Sequence, residues 1–138
     1  MSMLNTDGHK KILIIEDDLD NQELLKEVID YCLPGCTYAT VNDGEEAVNV
    51  AGSLDFDMVF MDMALPRKNG FEITDILRKT QDYKDTPIVA LTGQVMKGMK
   101  EKVLTSGFDE YLPKPCRPND IINVLKKYIN QKAKILIK

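Results

Sequence analysis

Short apolar runs in this chain end abruptly at polar or charged residues, and each is followed by a segment with helical spacing. Lys11-Ile12-Leu13-Ile14-Ile15 stops at Glu16-Asp17-Asp18, Met58-Val59-Phe60-Met61 at Asp62, and Pro87-Ile88-Val89-Ala90-Leu91 at Thr92-Gly93. Runs this short, with no polar residue alternating through them, suit strands buried on both faces. Thr37 to Val41 and Glu110-Tyr111-Leu112 read as two further strands. Between and after the strands, apolar residues recur at helical intervals. They are Leu24, Leu25, Val28, Ile29 and Cys32; then Ala47, Val48 and Ala51; then Phe71, Ile73, Ile76 and Leu77; then Val95, Met96, Met99, Val103 and Leu104; and finally Ile121, Ile122, Leu125 and Ile129. Pro34-Gly35, Asn42-Asp43-Gly44, Asn69-Gly70 and Ser106-Gly107 punctuate the elements, and Pro118 opens the last helix. Five βα units in series predict an α/β domain: a parallel sheet with helices on both faces.

The 138 residues suffice for one domain. Residues 11–130 are expected to form it, with a polar leader over 1–10 and a basic, apolar tail over 131–138. No room is expected for an output domain. No apolar run approaches the ~20 residues that span a bilayer, and the first residues hold no signal-peptide core, so no membrane partner is expected. The net charge of −4 argues against a dedicated nucleic-acid binder. The charge is uneven: Lys114 to Lys138 holds seven basic residues and one acidic, which reads first as a solvated helix face and tail. Three cysteines (Cys32, Cys36 and Cys116) without a signal peptide fit a reducing cytoplasm. With one histidine, His9 in the leader, neither a zinc site nor a nucleophile–histidine triad assembles convincingly.

In open parallel sheets the ligand site lies outside the carboxyl ends of the strands. That rim would gather Glu16, Asp17 and Asp18, then Asp62, Thr92 and Lys114. The clustered carboxylates repel one another, and a hard divalent cation relieves the repulsion. Mg2+ suits one or two carboxylates plus waters, with positions left open for phosphate oxygens. A carboxylate also serves as nucleophile toward phosphorus. Asp62, alone at the end of the central apolar strand, is best placed for that role. Mg2+, Lys114 and Thr92 would then surround the charge on the transferred group.

Four segments in order, each at a strand end, resemble the response-regulator receiver domain: Ile12 to Asp18, Asp57 to Gly70, Pro87 to Gly93 and Tyr111 to Pro115. The resemblance spans roughly residues 11–130. It implies a flavodoxin-like (βα)5 fold with strand order 2-1-3-4-5. It implies Mg2+ held by Glu16 and Asp17, with Asp17 the more direct ligand, together with Asp62 and the backbone carbonyl of Ala64. Asp62 would be the phosphoacceptor, Thr92 the switch hydroxyl and Tyr111 the switch aromatic. Lys114 would pair with Asp62 or its phosphate, and the Lys114–Pro115 peptide would be cis. Gly70 would be the turn glycine after the phosphorylation loop, which Pro66 shapes. Ala64 and Gln94 occupy positions that tune phosphate lifetime. Ala64 cannot orient a water and Gln94 cannot act as a base, so autodephosphorylation is expected to be modest.

The implied function is two-component signalling by a monomeric single-domain receiver rather than an enzyme with an external substrate. A histidine kinase or histidine phosphotransfer protein would supply the phosphoryl group. A target protein would read the face between the fourth and fifth helices. The segment ALTGQVMKGMKEK also resembles relay and hybrid-kinase receivers, so a phosphorelay intermediate stands as an alternative. Two rivals fare worse. A haloacid-dehalogenase phosphatase would need an acid at Ala64, and a phosphorylation-independent pseudo-receiver would have lost the acids, Thr92 or Lys114. Asp18 and Asp20 read as caps of the first helix.

Overall fold

The computed structural model describes residues 10–93 and 97–129. Gln94, Val95 and Met96, the first nine residues of the leader and the tail expected over 131–138 lie outside the described residues. The chain runs β1 (Lys11–Ile15), α1 (Leu19–Cys32), β2 (Thr37–Val41), α2 (Gly44–Ser53) and β3 (Met58–Asp62). It continues through α3 (Gly70–Arg78), β4 (Ile88–Thr92), α4 (Met99–Thr105), β5 (Glu110–Pro113) and α5 (Pro118–Tyr128). All four strand pairings are parallel, and the order is β2-β1-β3-β4-β5. The expected doubly wound flavodoxin-like sheet is the one observed.

Strand alternation divides the core in two. Ile12, Ile14, Met58, Phe60, Val89 and Leu91 face one layer, closed by α1 and α5 through Leu25, Ile29, Ile121 and Leu125. Leu13, Ile15, Val59, Met61, Ile88 and Ala90 face the other, closed by α2, α3 and α4. Because both faces are covered, β1, β3 and β4 carry almost no polar residue until their final positions. At about 25 cal/mol per Å2 of apolar area removed from water, this two-sided burial is the main force holding the sheet.

Local sequence sets the helix ends. The Asp43 side chain accepts the Glu46 N–H at 2.9 Å and starts α2. Asn69 and Glu72 form a reciprocal capping box on α3. Asp18 occupies the N-cap of α1, but its side chain makes no capping hydrogen bond, contrary to expectation. Instead the Asp18 N–H donates to Glu16 Oε2 at 3.1 Å, so the local hydrogen bond serves the acid pair.

The largest departure lies at α4. The helix starts at Met99, and Gly98, at φ 85°, is its N-cap in the left-handed region. Gly98 therefore breaks the helical pattern at the start of α4, where only a residue without Cβ adopts that angle freely. Leu104, expected to mark the inner face, is 39% exposed, and Ile76 of α3 is likewise at the surface. In α5, Val124 and Tyr128 join the core beside the expected Ile121 and Leu125. A single 3-10 turn at Gln81–Tyr83 adds the buried Tyr83, which the helical pattern does not reveal. Pro113 falls on the outer strand β5, where its missing donor is harmless.

Candidate functional site

Alternation also explains how the rim is assembled. Glu16 and Asp62 continue the parity of Ile14 and Phe60, and so lie on the α1/α5 side of the sheet. Lys114 follows Leu112 on that side. Asp17 and Thr92 continue the opposite parity. Five residues from four strand ends thus reach one cleft from two layers.

Glu16 is fully buried, whereas Asp17 is exposed. Asp62 and Thr92 are each 3% exposed, so the central nucleophile candidate is almost enclosed. Lys114 Nζ lies 2.8 Å from Glu16 Oε1 and 3.1 Å from Asp62 Oδ2. Asp62 Oδ1 accepts the Ala64 N–H at 3.1 Å. Both carboxylate oxygens of Asp62 are therefore oriented, one by an ammonium and one by the backbone of the following loop. The Lys114 N–H donates to the Thr92 carbonyl at 2.7 Å, and the Lys114–Pro115 peptide is cis, as expected. Tyr111 is half-buried, packed against the α2/α3/α4 layer.

Glu16 is held by partners that sequence reading does not single out. Its N–H donates to the Val41 carbonyl at 2.9 Å, and its carbonyl accepts the buried Gln22 side-chain amide. Burial pushes its carboxyl up to about 7, against the lowering effect of Lys114 and the Asp18 N–H. Lys114 is raised above its usual value: its burial acts to lower it, but the charges and hydrogen bonds of Glu16 and Asp62 outweigh that.

Oxygens of Glu16, Asp17 and Asp62 all lie within 4.8 Å of one another. Glu16 Oε1 is buried and faces the Lys114 ammonium at 2.8 Å. An all-oxygen donor set of three clustered carboxylates fits a small hard cation such as Mg2+. The cleft around these groups measures about 540 Å3. Asp17, Asp62, Ala64, Thr92 and Lys114 line it, and it continues toward Phe71, Met99 and Lys102. Lys102 Nζ sits 4.9 Å above the Phe71 ring, which meets Phe108 edge-on at 6.0 Å. Phe71, Met99 and Lys102, with Asn69, belong to the cleft wall, and no sequence motif marks the first three as site residues.

Gly70 stands where the loop after Asp62 closes, its N–H donating to the Met63 carbonyl. It is the first residue of α3, and a Cβ there would lie 2.7 Å from Met63 Sδ and 3.1 Å from the Asp62 carbonyl. The loop base passes too close for a side chain. Gln94, expected to tune phosphate lifetime, lies outside the described residues.

Residues 12–126 match the family model described as the response regulator receiver domain. Over 119 residues the chain is 34% identical to hybrid signal transduction histidine kinase G of Dictyostelium discoideum, covering 86% of this chain and 4% of that protein. It is 29% identical to the polar-differentiation response regulator DivK of Brucella ovis, covering 87% of this chain and 96% of DivK. Among solved structures, the receiver domain of sensor histidine kinase PA1611 from Pseudomonas aeruginosa PAO1 aligns with TM-score 0.78 at 29% identity, covering 89% and 99% of the two chains. That structure has a magnesium ion coordinated in its active-site cleft. The receiver domain of Ssk1 from Saccharomyces cerevisiae, crystallised with the histidine phosphotransfer protein Ypd1, aligns with TM-score 0.79 at 26% identity over 94% of each chain.

Proposed function

The chain belongs to the response regulator receiver domain family, and from that premise we propose that Asp62 accepts a phosphoryl group from a phosphohistidine on a histidine kinase or phosphotransfer protein. The observation that carries this reading is the doubly oriented Asp62 carboxylate, 3.1 Å from Lys114 Nζ and 3.1 Å from the Ala64 N–H. An Asp62 oxygen attacks phosphorus in line with the P–N bond. The P–O bond forms as the P–N bond breaks, and the imidazole leaves with the electron pair and takes up a proton. Lys114 moves from carboxylate to phosphoryl oxygen without leaving the cleft. Thr92, on the adjacent strand β4, offers its hydroxyl to a second phosphoryl oxygen. Mg2+, when bound by Glu16, Asp17, Asp62 and the Ala64 carbonyl, neutralises charge on the transferring group.

The readout follows from the same elements. Thr92 moving toward the phosphoryl group changes the space beside Tyr111 on β5, and the surface from α4 to α5 follows. A target protein that binds one of the two arrangements more tightly reads the signal. The domain, residues 11–130, turns over no external substrate, acts in the cytoplasm and works as a monomer. The absence of an acid at Ala64 and the amide at Gln94 predict a phosphoryl group that survives longer than in fast-cycling receivers. The hybrid-kinase relative favours a second role, as a relay intermediate that passes the group to a histidine phosphotransfer protein.

The test is incubation with Mg2+ and a small acyl phosphate, read by intact mass. One added phosphoryl group is expected, lost with chelator and in Asp62→Asn. No adduct from either a small donor or a phosphorylated phosphotransfer protein would refute the assignment. Transfer from the adduct onto an unphosphorylated phosphotransfer protein separates the relay role from the terminal one.

A further inference from the structure

We propose that Arg67 is a positioning residue for the acid pocket, acting from outside it through the loop between β3 and α3; the proposal rests on the receiver reading above. Arg67 has φ 69°, and it is the one non-glycine residue with positive φ among the described residues. A long side chain persists in that region only where its surroundings hold it there. Here the surroundings are the start of α2. Arg67 Nη1 donates to Glu45 Oε2 at 2.8 Å, and Nη2 lies 3.5 Å from Asp43 Oδ2. The neighbouring Pro66 carbonyl accepts the Gly44 N–H at 3.4 Å and the Lys68 N–H at 2.8 Å. A Cβ on Gly44 would lie 2.6 Å from both the Lys68 Cβ and its carbonyl oxygen. The loop is thus seated directly on the first turn of α2, with the guanidinium as its clasp.

The other end of this loop is the site itself. Asp62 and Met63 begin it, and the Ala64 N–H orients Asp62 Oδ1. Arg67 is three residues further on. The Lys68 N–H and Pro66 carbonyl close a γ-turn on Arg67 that holds its φ; without the clasp that turn is no longer tied by its side chain to α2, and the segment that presents Ala64 to Asp62 shifts with it. The clasp is solvent-exposed, with Arg67 at 63% and Glu45 at 56% side-chain exposure. Its effect is therefore modest and sensitive to salt.

The experiment uses the full chain with Arg67→Ala, Arg67→Lys, Glu45→Gln and the double variant Arg67→Ala/Glu45→Gln. Asp43 is left intact because it caps α2. Mg2+ affinity is measured by calorimetry, and the rate of phosphoryl uptake from a small acyl phosphate by mass, at about 0.02 M and about 0.5 M salt. Arg67→Ala is expected to weaken Mg2+ binding and slow uptake by about threefold at low salt, the ratio an exposed pair sustains, with the melting temperature unchanged. Arg67→Lys recovers part of the loss. The double variant is no worse than Arg67→Ala, and wild type falls to the level of the variants at high salt. Equal Mg2+ affinity for wild type and Arg67→Ala at low salt, or losses that add in the double variant, would overturn the proposal. If wild type takes up no phosphoryl group from the acyl phosphate or from a phosphorylated phosphotransfer protein, the receiver reading fails, while the Mg2+ arm still judges Arg67 on its own.

Discussion

Lowering the pH from 8 to 6 should weaken Mg2+ binding by about tenfold, and Glu16 is the reason. Its carboxyl is buried and raised to about 7, while the metal of the proposed site would be held by ionised acids. Proton and metal therefore compete for the same group. With a midpoint near 7, roughly nine-tenths of Glu16 is ionised at pH 8 and roughly one-tenth at pH 6, a difference of about 1.4 kcal/mol in apparent affinity. A carboxyl at the ordinary value of 4.5 would be almost fully ionised at both pH values, and affinity would barely change. Stability of the metal-free protein should move the opposite way. A folded-state value above the unfolded one means that the native state binds the proton more tightly. The favourable contribution is complete below about 4.5 and is lost as pH rises through about 7. Over that window the loss is about 3 kcal/mol. Saturating Mg2+ should reverse the trend. The chain has five tyrosines and no tryptophan, so calorimetric titration is the direct assay. Glu16→Gln is the control: it should bind Mg2+ more weakly at pH 8 and lose most of the pH slope. A change of less than twofold in wild-type affinity between pH 6 and 8 would refute the argument.

Two further outcomes concern the frame around the site. Arg78 of α3 donates to the carbonyls of Tyr83, Thr86 and Gly107 at 2.7–2.8 Å and to Asp109 Oδ2 at 2.8 Å. Arg78→Met leaves the Tyr83 and Thr86 carbonyls short of a charged donor and should cost about 3 kcal/mol, lowering the urea midpoint by about 1.5 M; a shift under about 0.3 M would contradict this. The buried Tyr83 hydroxyl lies within hydrogen-bond reach of the Ala51 and Leu54 carbonyls and accepts the Phe56 N–H. Tyr83→Phe should cost about 1–2 kcal/mol in the same denaturation assay, with Mg2+ affinity unchanged.

The sheet was legible because β3 and β4, and β1 after Lys11, are apolar up to the rim, a pattern with few alternatives. Glu16, Asp62 and Thr92 were legible for the same reason, each standing at the end of an apolar run, and Lys114 through the Lys-Pro step that follows β5. What sequence spacing did not reveal is contact between distant residues. Nothing in the order of residues says that Lys114 reaches Glu16, 98 positions earlier, as closely as it reaches Asp62. Nor does it separate the fully buried Glu16 from the exposed Asp17 beside it. Arg78 and Arg67 look like ordinary surface cations, because their partners are backbone carbonyls and acids from other loops. The start of α4 misled the helical pattern because Gly98 breaks it there, and apolar spacing does not register a backbone angle.

The sheet is also a partition. The two apolar layers on its faces share no core residue. A change on the α1/α5 side passes to the α2/α3/α4 side only around an edge of the strands, and the carboxyl edge is where Asp62 and Thr92 stand next to each other from opposite layers. The domain is in this sense two compartments that meet at the rim, and the proposed phosphoryl site lies at that meeting point. Repacking either compartment should leave the other undisturbed, whereas a group that draws Thr92 toward Asp62 acts on both at once.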